Sequence, residues 1–149
     1  MKRREQRECI FQLLFRVEFN RQEEMPEQAD LYLDDIREEQ TVQEKDESYI
    51  LEKYSRIVEE LPKIDAMLDE ASKGWKISRM GKVELTVLRL AVYEMKFDED
   101  IPEKVAINEA VELAKKFGGD DAPSFINGVL ARLVKDGSDS GDKAGSVQG

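Results

Sequence analysis

The sequence of 149 residues contains no histidine. That excludes imidazole-based catalytic triads, histidine metal sites and imidazole proton shuttles. A single cysteine, Cys9, leaves no intramolecular disulfide framework. Neither GxxxxGKS/T nor GxGxxG occurs, so the common nucleotide-phosphate cradles are missing. No apolar run approaches the roughly 18 residues of a membrane span, and mean hydropathy is -0.59. Charges, and not an apolar stretch, follow Met1-Lys2-Arg3-Arg4-Glu5, unlike a secretory signal. What remains for catalysis is carboxylates, lysines and one thiol, with no carboxylate pair better placed than background. These absences predict a soluble cytoplasmic protein that is not an enzyme and carries no cofactor or metal.

What is present is charge, unevenly spread. The formal net charge is -10. Residues 1–21 carry Lys2, Arg3, Arg4, Arg7, Arg16 and Arg21 against three Glu, a net +3. Residues 22–60 carry four cations against fourteen carboxylates, a net -10, and residues 61–149 a net -3. A basic arm on an acidic body marks an interaction surface, because the body repels polyanions everywhere else. The plainer alternative is a solvated basic terminus.

Apolar spacing predicts helices throughout and no sheet: an all-α bundle of about seven. In residues 2–19, Ile10, Leu13, Leu14 and Val17 share one face, and Arg4, Arg7, Phe11 and Phe15 form a second stripe. Met25-Pro26 interrupts the pattern before a short acidic helix carrying Ala29, Leu33 and Ile36. A third helix, from Ile50 to Leu61, is expected to stop near Pro62. A fourth, Ile64 to Ala71, should close at Lys73-Gly74. Residues 82–97 leave little polar surface and read as a central helix covered by neighbours. A sixth helix follows Ile101-Pro102 and closes at Gly118-Gly119. Asp120 or Asp121 can cap the last, with Pro123 in its first turn and Phe125, Ile126, Val129, Leu130 and Leu133 on its apolar face. Residues 1–136 are expected to form one domain and 137–149 a disordered tail.

Two runs resemble the signature of the NusB family: Val105-Ala-Ile-Asn-Glu-Ala-Val-Glu-Leu-Ala-Lys-Lys-Phe-Gly-Gly-Asp-Asp121 and Ser124-Phe-Ile-Asn-Gly-Val-Leu130. Arg89-Leu-Ala-Val-Tyr-Glu-Met95 resembles the family's central helix, and Arg3-Arg4-Glu5-Gln6-Arg7-Glu8 its arginine-rich start. Together these span about residues 2–134 in order. The resemblance implies two packed three-helix subbundles plus an N-terminal helix. It also implies a transcription antitermination factor that pairs with the ribosomal protein NusE and binds single-stranded boxA-type nascent RNA. Such a factor works in the elongation complex with other Nus factors, chiefly on rRNA operons. The acidic stretch 22–47 matches nothing distinctive.

Candidate RNA contacts are Lys2, Arg3, Arg4, Arg7, Lys104, Asp121, Phe125 and Asn127. Arg3, Arg4 and Arg7 lie on neighbouring helical turns, so their guanidinium groups can follow one phosphate backbone. Phe125 either stacks on an unpaired base or packs with Ile126 and Val129. Asn127 either contacts RNA or bonds within the protein. Asp121, an acidic position in the family, either limits affinity or caps a helix, and Lys104 is a phosphate contact or a solvated lysine. Gly128 suits a close approach, with tight helix–helix contact the preferred reading. Phe15 and Glu84 are the partner-binding candidates that the resemblance implies, with Phe15 standing where some members carry tyrosine. An aromatic stripe at this spacing is otherwise core. Cys9 reads as a small buried residue. The rival from a different class is a purely protein-binding helical adaptor with no RNA site.

Overall fold

A computed structural model describes residues 1–134, so the tail expected at 137–149 lies outside the described residues. These contain six α-helices and two short 3-10 turns, with no strand among them. The helices are α1 (Arg3–Arg16), α2 (Met25–Glu39), α3 (Glu44–Ala71), α4 (Lys82–Lys96), α5 (Glu103–Phe117) and α6 (Ala122–Ala131). Packing divides the chain into two compact units, Met1–Glu59 and Glu60 onward, with the division inside α3.

The all-helical expectation holds with six helices, not seven, because α3 runs through Pro62. Proline removes one backbone donor and crowds the preceding turn, at a cost of about 3 kcal/mol in a helix interior. A buried stripe continues across it: Ile50, Tyr54 and Ile57 before, Ile64, Leu68 and Ala71 after. Alternating steps of three and four residues keep that stripe on one face, and Pro62 points outward. Burial of the stripe outweighs the lost hydrogen bond.

In the first unit, α1 begins with the Lys2 N–H donating to Glu5 Oε1 at 2.8 Å, which satisfies an orphan donor near the helix start. Gln6 Nε2 donates to the buried Asp46 Oδ1 at 2.8 Å, fixing the root of the arm. Ile10, Leu13 and Leu14 are buried as their spacing predicts. Pro26 sits in the first turn of α2, where its missing N–H costs nothing. The α1–α2 contact is closed by Tyr32, whose hydroxyl donates to Gln12 Oε1 at 2.7 Å while the Arg16 guanidinium covers its ring at 5.3 Å.

In the second unit α4 is the central element. Ten of its fifteen residues are buried, from Leu85 to Met95 with only Arg89 breaking the run. Arg89 reaches back to Asp65 on α3. At its far end, Lys96 Nζ donates to Glu103 Oε2 at 3.0 Å and to the Leu133 carbonyl at 2.6 Å. That lysine ties α4, the start of α5 and the chain beyond α6 together. Ala106, Ala110 and Ala114 line the buried face of α5 and let it lie close to its neighbours. The α3 terminus behaves as read: Lys73 and Gly74 both take left-handed φ, 37° and 94°. Arg132 Nη1 donates to the Ala71 carbonyl at 3.0 Å, satisfying an acceptor in the last turn.

Candidate nucleic-acid interface

Lys2, Arg3 and Arg4 are exposed at the start of α1, and among the described residues no carboxylate pairs with the Lys2 or Arg3 side chain. Arg7 is different: it is 7% exposed and engaged by other groups of the protein. The expectation that Arg3, Arg4 and Arg7 line one open track therefore does not match the geometry. Half of the second stripe turns inward, since Phe11 is buried as well, while Arg4 is exposed and Phe15 half-buried. At 100° per residue, Arg7, Cys9, Ile10, Phe11, Leu13 and Leu14 surround more than half of the helix. Only the sector holding Arg4, Glu8, Gln12 and Phe15 stays open.

Phe15 is half-buried and links two neighbours. Its ring stacks on Phe11 at 6.2 Å and meets Phe19 edge-on at 4.9 Å. Phe19 is 59% exposed, so the ladder leads from the core to the surface. Sequence reading missed Phe19, although the spacing 11, 15, 19 continues the stripe. Cys9 is buried as expected. Burial pushes its thiol pKa up, and a hydrogen bond with Tyr32 opposes only part of that shift. A thiol held protonated is a poor nucleophile.

The second unit holds the remaining candidates. On α6, Asp121, Phe125 and Gly128 recur at i, i+4 and i+7 and so share one stripe. Asp121 stands at the N-cap position, yet its side chain makes no capping bond. Its backbone is helical where a capping residue is normally extended, and Pro123 offers no N–H to accept. Phe125 is neither core nor free: half-buried, it meets the Trp75 ring edge-on at 6.1 Å. Ile126, Val129 and Leu130 fill the inward face beside it. Asn127 is exposed, as is Lys104 in the first turn of α5. Gly128 is exposed and a Cβ there would meet nothing within 4 Å, so no tight helix contact explains it.

Glu84 is half-buried at the start of α4, where a carboxylate suits the helix dipole. Its carboxylate folds over Gly81, and one oxygen lies 3.7 Å from where a Gly118 Cβ would stand. Glu84 thus fills the corner between the start of α4 and the end of α5. Trp75, 56% exposed in the loop after α3, is the second residue that sequence reading missed. Its signal was a single tryptophan among lysines. The described residues contain no cluster of potential metal ligands and no helix long and apolar enough to cross a membrane.

Known proteins similar to this chain match it over most of its length. The model of the NusB family matches residues 4–135. A transcription antitermination protein NusB of Agathobacter rectalis is 51% identical over 134 residues, covering 90% of this chain and all of that protein. Its counterpart from Lachnoclostridium phytofermentans is 47% identical, covering 90% and 99% of the two chains. Among solved structures, T. maritima NusB superposes with a TM-score of 0.77 at 35% identity, covering 89% of this chain and 90% of that one. A complex of antitermination factors NusB and NusE with double-stranded RNA gives 0.72 at 27% identity, covering 89% and 97%.

Proposed function

This chain belongs to the NusB family, and we propose that it is a non-catalytic, cytoplasmic RNA-binding factor of transcription antitermination. With the ribosomal protein NusE it loads onto boxA-type nascent RNA, joins the elongation complex with other Nus factors and supports processive transcription of rRNA operons. The observation that carries this reading is the match at 51% identity over the entire length of an antitermination protein. The solved complex of NusB and NusE with double-stranded RNA supports NusE as the protein partner and RNA as the class of ligand.

Each unit contributes its own contacts. In the first, Lys2, Arg3 and Arg4 meet phosphates, while Arg7 supports the arm from within and Phe15 faces the protein partner. In the second, Lys104 adds a phosphate contact, and Phe125 and Asn127 meet bases. Asp121 restrains affinity by repelling the phosphate backbone, and Glu84 contacts NusE at the start of α4. Residues 1–136 act as one domain.

The few cations assigned to phosphate contacts, on a chain of net charge -10, make weak, salt-sensitive binding the expectation for the protein alone. The test is a titration of single-stranded boxA-type RNA at several salt concentrations. Affinity that falls steeply with salt supports the reading. Absence of binding at low salt, with and without NusE, overturns it in favour of a purely protein-binding adaptor.

A further inference from the structure

The loop between α3 and α4 carries cations and an aromatic ring that the contacts above do not use. Between Ala71 and Val83 stand Lys73, Lys76, Arg79 and Lys82, with no carboxylate among them. All four are exposed, and among the described residues no carboxylate pairs with Lys73, Lys76 or Arg79. Within a chain of net charge -10 this is a second concentration of positive charge. Trp75 stands in its middle at 56% exposed.

The loop is held in place. Trp75 N–H donates to the Ser72 carbonyl at 3.3 Å, and Ile77 N–H to Asp69 Oδ1 at 3.2 Å. Met80 is buried and anchors the far end. The Trp75 ring meets Phe125 edge-on, with the two ring planes 74° apart, so the indole adds a second π-face beside the α6 aromatic. An ordered, exposed indole among exposed cations is what single-stranded nucleic acid requires: charge for the phosphates and a π-face for an unstacked base. Folded proteins offered to the same patch would need an acidic face around an aromatic pocket, whereas RNA supplies both groups in every nucleotide.

We propose that Trp75 is a base-stacking platform for single-stranded RNA, set beside Phe125 and flanked by Lys73, Lys76 and Arg79 as phosphate contacts. The proposal rests on the RNA-binding reading and adds a second aromatic, and a basic loop, to the RNA contacts of the second unit.

Trp75 is the only tryptophan of the chain, so its emission reports on this position alone. Unlabelled single-stranded boxA-type RNA is titrated into the intact protein while tryptophan emission is followed. A labelled copy of the same RNA measures affinity by anisotropy for the unaltered chain, Trp75→Ala and Trp75→Phe. Emission should be quenched in step with binding and recover at high salt. Trp75→Ala should weaken binding about tenfold, with Trp75→Phe retaining most of the affinity and all variants keeping the same helix content. RNA that binds with unchanged emission, and equally to Trp75→Ala, overturns the platform and leaves the RNA reading intact. Emission that changes with NusE alone and not with RNA assigns Trp75 to a protein contact and overturns it too. Absence of RNA binding by every variant, with or without NusE, overturns both.

Discussion

A Cβ on Gly118 would stand 2.6 Å from the Cβ of Ala122, and 2.9 Å from the Ala114 carbonyl oxygen. The end of α5 and the start of α6 thus approach so closely that only glycine fits. Neither contact is the tip of a flexible side chain. Gly118→Ala should therefore destabilise the protein by about 2 kcal/mol, as overpacking does. Gly128→Ala is the control: within α6 its Cβ would meet nothing within 4 Å. Urea unfolding should show a lower midpoint for Gly118→Ala and no loss for Gly128→Ala.

Arg89 grips Asp65 through two hydrogen bonds of 2.9 Å each, from Nε and Nη2. The pair is largely buried and joins α4 to the second half of α3. Arg89→Ala leaves Asp65 without that fork and should cost about 2 kcal/mol. Arg89→Lys should recover only part, because an ammonium group cannot make the bidentate contact. Denaturant midpoints of the two variants check the order.

The arm separates binding from stability. Replacing Lys2, Arg3 and Arg4 together by Ala should flatten the slope of log affinity against log salt by about 2, near 0.7 for each phosphate contact on single-stranded RNA. Melting temperature should hardly move, since all three are exposed. Arg7→Ala should do the reverse, lowering stability because the side chain is buried and engaged. Equal salt slopes for the triple variant and the unaltered chain would remove the arm from the RNA site.

Cys9 and Tyr32 give the protein an alkaline limit. Burial raises both pKa values above their ordinary 9.0 and 10.0. In each case the unfolded chain loses its proton first, so stability is fully present below the unfolded value. It is then lost as pH rises toward the folded one. Unfolding free energy should hold steady from neutral pH to about 8 and decline above 9. Cys9→Ala and Tyr32→Phe should each make that decline shallower; an unaltered profile in both would contradict the assignment.

Much of the fold was legible because it rests on periodicity. α4 announced itself as central by being apolar on most sides, and Gly118 and Gly74 marked helix ends that the structure keeps. Pro62 misled because its cost is local, whereas the buried stripe that overrides it runs the length of α3. Arg7 misled for a related reason. Spacing gives its angle on α1 but not how far neighbouring elements reach around the helix. The same limit hid Phe19, three residues beyond the end of α1. Trp75 had no periodicity to betray it: a single aromatic in a loop acquires meaning only when the loop is ordered and Phe125 lies beside it.

On the proposed function, RNA recognition is shared between this chain and its protein partner, and linked binding decides whether it is. The affinity of boxA-type RNA for this chain is determined with and without saturating NusE, for the unaltered protein and for Glu84→Lys. NusE should tighten RNA binding, and RNA should tighten NusE binding by the same factor, as linkage requires. Glu84→Lys should weaken RNA binding only when NusE is present. RNA affinity that NusE leaves unchanged would mean that the two partners do not recognise RNA together.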